Sequence, residues 1–125
     1  MSERPEPVWT TEDLAQRDRV MAGECVVARL KRGWHPPLLA WAKEAGLYVR
    51  IDRRTVWGNP YTLPADGGRM AVVRLYEERH LPSRPDLLAN IGSLRGRVLA
   101  CWCAPLECHG DVLARLANHP ERKRS

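Results

Sequence analysis

Residues 25–51 read CVVARLKRGWHPPLLAWAKEAGLYVRI, and the fold turns on them. Cys25 to Leu30 reads as a buried strand. Gly33-Trp34-His35-Pro36-Pro37 ends it, because two prolines remove backbone donors and fix φ. The second proline suits the first turn of a helix, and Leu38, Trp41, Ala42 and Ala45 then recur at helical spacing before Gly46 supplies a stop. In the next segment Leu47, Val49 and Ile51 alternate with Tyr48 and Arg50, the period of a strand. Strand, helix and strand in so short a stretch form a βαβ unit, which predicts two parallel strands joined by a right-handed crossover.

Upstream, Thr10 or Thr11 caps a helix through about Met21, with Glu12 and Asp13 at its positive end and Gly23 as the stop. Downstream, Gly67 and Gly68 open a helix from about Arg69 to His80 whose Met70, Val73 and Tyr76 share a face. A shorter helix starts at Ser83 and Pro85 and carries Leu87, Leu88 and Ile91. Arg97 to Trp102 reads as the last strand and Asp111 to Ala117 as the last helix, with Val112, Leu113 and Leu116 inward and Asn118 and Pro120 ending it. Alternating strands and helices predict an α/β fold with a small, mainly parallel sheet flanked by helices, Rossmann-like, in two or three layers. The organisation expected is a flexible N-terminal tail over 1–9, one α/β domain over 10–119 and a basic tail over 120–125.

Composition agrees with one globular core: 125 residues, 44% hydrophobic and 28% charged. The apolar runs are far shorter than the roughly 20 residues of a spanning helix, and no apolar segment follows the charged start, so neither a membrane span nor a secretion signal is read. Of four cysteines, three crowd between 101 and 108, unlike the dispersed pattern of a secreted disulfide scaffold. Reduced thiols in a cytoplasm are expected. The net charge of +5 is concentrated in Arg29, Lys31 and Arg32, in Arg50, Arg53 and Arg54, and in Arg122, Lys123 and Arg124, a field that attracts phosphates, free or polymeric.

In parallel sheets ligands sit beyond the carboxyl ends of the strands. Three unusual segments follow the three strands. The first holds Trp34 and His35. The second holds Trp57-Gly58-Asn59-Pro60-Tyr61, two aromatic side chains around turn-forming residues, chemistry suited to stacking a planar group and equally to a core Trp57 with Tyr61 as its lid. Beyond it Asp66-Gly67-Gly68-Arg69 sets small residues and a guanidinium at a helix start, an arrangement that binds anions or simply caps a helix. No complete Walker or dinucleotide glycine pattern accompanies it.

The third segment is Cys101-Trp102-Cys103-Ala104-Pro105-Leu106-Glu107-Cys108-His109-Gly110. Its thiols and imidazole are metal-ligand types, and Cys101, Cys103 and Cys108 are the ligands if zinc binds. Spacing argues against it. Thiolates on one zinc lie about 4 Å apart, whereas Cys101 and Cys103 on an extended strand stand roughly 6 to 7 Å apart, and the two-residue gap of zinc knuckles is missing. In the competing reading Cys108 sits at the N-terminus of the last helix, where the backbone dipole favours a thiolate, and acts as nucleophile with His109 or His35 as acid or base. Cys25 and Cys101, in apolar strands, read as small hydrophobes.

Taken in order, Val26-Val27, Gly33-Trp34-His35-Pro36-Pro37, Trp57-Gly58-Asn59-Pro60-Tyr61, Gly68-Arg69, Leu94-Arg95-Gly96, Cys101-Trp102-Cys103-Ala104-Pro105 and Cys108-His109-Gly110-Asp111-Val112-Leu113 resemble the domain-of-unknown-function family DUF4326 over about residues 25–117. The resemblance implies a small cytoplasmic α/β protein of bacteria and phages, frequent in actinobacteria and mobile elements, with no assigned activity. The N-terminal helix lies outside the resemblance, and Leu38 to Ala45 is where members vary most.

These features support two functions. In the first, the protein is a small enzyme or binding protein for a nucleotide or other phosphate-bearing ligand: His35, Trp57, Asn59 and Tyr61 hold the ligand, Arg69 its anion, and Cys108 with His109 carry the chemistry. In the second, it is a nucleic-acid accessory protein of a mobile element, with a structural or zinc-binding Cys/His cluster and with Lys31, Arg32, Arg53 and Arg54 tracking a phosphate backbone.

Overall fold

Side chains of three short strands alternate between two apolar layers, and that alternation organises everything around them. The structure, a computed structural model, describes residues 9–29, 37–52, 54–61, 65, 67–101 and 109–119. Its elements are α1 (Thr11–Met21), β1 (Val26–Arg29), α2 (Pro37–Ala45), β2 (Tyr48–Arg50), α3 (Arg69–Leu75), a π turn (Tyr76–His80), a 3-10 turn (Leu81–Ser83), α4 (Pro85–Asn90), a second 3-10 turn (Ile91–Leu94), β3 (Val98–Cys101) and α5 (His109–Asn118).

All three strands are parallel, in the order β1-β3-β2. The parallel relation of β1 and β2 is as expected, with β3 filed between them: Val26 and Tyr48 both pair with Val98, and Arg29 pairs with Cys101. Even-numbered strand residues Val26, Ala28, Val98 and Ala100 pack against Val20 of α1 and Leu38, Leu39 and Ala42 of α2. Odd-numbered Leu99 and Cys101, with Cys25 and Ile51 beside the strands, pack against Val73, Tyr76, Leu87, Ile91 and Leu94 and against Val112, Leu113 and Leu116 of α5. The result is three layers, helices on both faces of the sheet. The β1→β2 connection crosses on one face and the β2→β3 connection returns on the other, as two right-handed crossovers in opposite directions require.

Local chemistry accounts for the element ends. Thr10 accepts from the Asp13 N–H at 3.0 Å and the Asp13 carboxylate accepts from the Thr10 N–H at 3.5 Å, a capping box that starts α1. The β1 edge is closed by side chains from both helical layers. Gln16 of α1 donates to the Val27 carbonyl at 3.0 Å, while Asn118 of α5 accepts from the Cys25 N–H at 2.7 Å and donates to its carbonyl at 3.0 Å. Asn118 thus stands in for the missing neighbouring strand.

Several boundaries and faces differ from expectation. In α2 the buried side is Pro37, Leu38, Leu39 and Ala42, with Trp41 half-buried and Ala45 exposed, because the helix presses two consecutive leucines into the sheet. The helix from Arg69 does not run uniformly to His80. It becomes a π turn at Tyr76, with the Leu81 N–H bonded to the Tyr76 carbonyl, and Met70 is left 63% exposed. Helix α5 starts at His109 rather than Asp111, so Gly110 is buried inside its first turn.

Candidate functional site

Asp52 builds the loop that leaves β2. Its carboxylate takes the Arg50 Nε at 2.6 Å and the Arg54 N–H at 3.1 Å, and its carbonyl accepts from the Thr55 hydroxyl at 3.1 Å. Arg50 is therefore neutralised by its own neighbour. The Trp57 N–H then donates to Thr55 Oγ1 at 3.3 Å, and the Gly58 N–H to the Thr55 carbonyl at 3.1 Å. Asn59 locks the next stretch of backbone: Oδ1 accepts from the Tyr61 N–H at 3.0 Å and Nδ2 donates to the Val72 carbonyl of α3 at 3.0 Å. The turn expected at Trp57 to Tyr61 is thus a fixed structure docked on α3.

Within it, Trp57 is 9% exposed and belongs to the apolar layer that includes Tyr76 and Leu99, while Tyr61 is half-buried at the surface. Arg69 is half-buried at the first position of α3. Its helix is entered through Gly67, whose φ of +115° and whose missing Cβ, which would meet the Ala71 Cβ at 2.9 Å, both demand glycine. Gly68 follows in extended backbone as the cap residue.

His109 opens α5 and is 8% exposed. Its Nε2 lies 2.7 Å from the Ile51 carbonyl, which can only accept, so Nε2 carries the proton and donates it. That nitrogen is committed to the backbone where β2 ends. The imidazole also meets the Tyr76 ring, centroids 4.9 Å apart and tilted by 59°. On its other side Tyr76 meets His80 at 5.2 Å, and its hydroxyl donates to the Trp57 carbonyl at 2.8 Å. Burial, opposed by Arg84, pushes the Tyr76 phenol above its ordinary range, so it remains a proton donor. Reading the sequence for apolar faces placed Tyr76 on the inward face with Val73 but gave its hydroxyl no role. The signal was there, since a tyrosine on an inward face needs a partner for its hydroxyl.

Cys25, just before β1, and Cys101, in β3, are both buried. Burial raises the Cys25 thiol to about 12, against a smaller lowering by Arg19. His35, Cys103 and Cys108 lie outside the described residues, as do Lys31, Arg32 and Arg53. Among the described residues no group of three His, Cys, Asp or Glu side chains is placed to hold a metal ion. Nor is any helix among them long and apolar enough to cross a membrane. A cleft of about 220 Å³ between α3 and α5 is spanned by the Arg115–Glu77 ion pair at 2.8 Å. It is lined by Met70, Val73 and mixed charges and by none of Trp57, Asn59, Tyr61, Arg69 or His109.

The fold and these loops define a small three-layer α/β protein whose unusual residues follow the carboxyl ends of a parallel sheet. Residues 40–119 match the family described as Domain of unknown function (DUF4326), and the chain belongs to it. It is 38% identical over 73 residues to an Enterobacteria phage T4 protein, "Uncharacterized 12.4 kDa protein in nrdA-td intergenic region", an alignment covering 56% of this chain and 67% of the phage protein. No solved structure matches.

Proposed function

We propose that the protein binds a nucleotide or related phosphate-bearing ligand at the carboxyl rim of its sheet. The observation that carries this reading is where the connections part. β1 and β3 are adjacent, with Arg29 beside Cys101 at their carboxyl ends, yet the chain leaves β1 for α2 on one face and β3 for α5 on the other. Such a switch point opens a crevice between neighbouring strands and is where open α/β sheets bind ligands, the sense in which the fold is read as Rossmann-like. The positive ends of α2, at Pro37, and α5, at His109, belong to this rim and favour an anion.

In this reading Arg69 and Tyr61, both partly exposed, meet the phosphate and the planar group. Asn59 fixes the Tyr61 backbone at 3.0 Å, and His35 and Cys108, with His109 next to Cys108 in sequence, are the further ligand and catalytic residues of the proposal. Catalysis by Cys108 is the further part of the proposal, a thiolate favoured at a helix N-terminus.

Saturable, stoichiometric binding of a mononucleotide to the metal-free chain, weakened about tenfold by Arg69→Met, is the expected result. Affinity confined to DNA or RNA and falling steeply with salt would instead support the accessory-protein reading, to which the internal Arg and Lys clusters would then belong.

A further inference from the structure

We infer that Tyr76 is a positioning residue that ties the loop after β2 to the start of α5, so that the two segments bordering the carboxyl rim open and close as one unit. The inference concerns regulation of the site proposed above and rests on that reading for its functional meaning.

The contacts form a closed circuit. His109, first residue of α5, donates to the Ile51 carbonyl at 2.7 Å, where the loop begins. Tyr76 donates to the Trp57 carbonyl at 2.8 Å, further along the same loop. The two side chains touch, ring against ring at 4.9 Å. Asn59 adds a bond at 3.0 Å to the Val72 carbonyl, one turn before Tyr76. Every polar group in the circuit is buried or half-buried, so opening one contact strands a carbonyl away from water and removes a wall from the next side chain. Neither end of the loop can loosen cheaply while the other holds.

Tyr76 reaches this place from a π turn, with His80 packed at 5.2 Å on its other side. Such turns are rare overall and are frequent at functional sites. A tyrosine that only filled the core would need neither the turn nor contact with both loop partners. Phenylalanine would fill the same space.

Native-state hydrogen exchange on the ligand-free full chain, followed through rising denaturant, separates the two roles. The reporters are the Gly58 and Tyr61 amides, bonded to the Thr55 carbonyl and Asn59 Oδ1, and the Leu113 and Ala114 amides in α5. Both pairs should exchange through one opening event, with a shared free energy and denaturant slope, below the global event reported by Val98 in β3. Tyr76→Phe should speed both pairs about tenfold and Val98 by the same factor, since the global event breaks the circuit as well. Two separate openings, or a variant that frees the loop amides alone, would overturn the inference. Should the variant not fold, the unaltered chain decides on its own. Because no ligand is present, failure to bind nucleotide leaves this result standing, and a bound nucleotide with two separate openings defeats this inference alone.

Discussion

Cys25 and Cys101 are closed to solvent on the α5 side of the sheet, 0% and 1% exposed, and Cys25 is held far from ionisation at neutral pH by its burial. Cys108 immediately precedes His109, the first residue of α5, and the positive end of a helix dipole favours a thiolate. Timed alkylation read by peptide mass should therefore label Cys108 at least about tenfold faster than either buried thiol in folded, metal-free protein. Equal rates for Cys108 and Cys101 would remove the nucleophile. Joint protection of Cys101, Cys103 and Cys108, relieved by a chelator, would put a metal in its place. A second residue-scale effect belongs to His80, whose Nε2 is buried without a hydrogen-bond partner among the described residues. Burial first, then Arg84, lowers its affinity for a proton, with Asp86 pulling the other way. The unfolded chain thus binds that proton more readily than the folded one. Its contribution to stability is intact above the ordinary histidine value of about 6.5 and is lost as pH falls through the lower folded value. Denaturant midpoints measured from pH 7.5 down to 5 should fall less steeply in His80→Phe than in the parent; parallel curves would show that His80 contributes nothing.

Among the elements, β1 depends on helices at both ends of the chain. Asn118→Ala leaves the Cys25 N–H and carbonyl without their partner and should cost roughly 1–3 kcal/mol in equilibrium unfolding. A loss within 0.5 kcal/mol would mean that water replaces the amide at this edge. This dependence explains what could be read in advance. Pro37–Ala45 and the Thr10 cap were legible because proline geometry and side-chain capping are decided within a few residues. Asn118 as a strand surrogate was not, since its partner lies 93 positions away. The π turn was hidden because Val73, Tyr76 and His80 fit helical spacing whichever way the turn is wound. The last helix was read from Asp111, yet Gly110 is buried in the first turn of α5, where its lack of a side chain suits close packing.

At the scale of the molecule, the parallel sheet followed from the βαβ segment, but the placing of β3 between β1 and β2 did not, because strand order depends on which face each crossover takes. That order locates the switch point. Of the residues first picked out for the site, Trp57, Asn59 and His109 are engaged with the framework, Tyr61 and Arg69 stand at its surface, and His35 and Cys108 belong to the two segments outside the described residues. Composition pointed to phosphate chemistry, and strand order says where to look for it. Isothermal calorimetry of the metal-free chain and of Arg69→Met against nucleoside mono-, di- and triphosphates, at low and physiological salt, tests this most directly. The prediction is one-to-one saturable binding that survives physiological salt and weakens about tenfold in the variant, the loss of roughly one charge-assisted contact. No saturable heat with any of these phosphates, or binding that Arg69→Met leaves untouched, would contradict it.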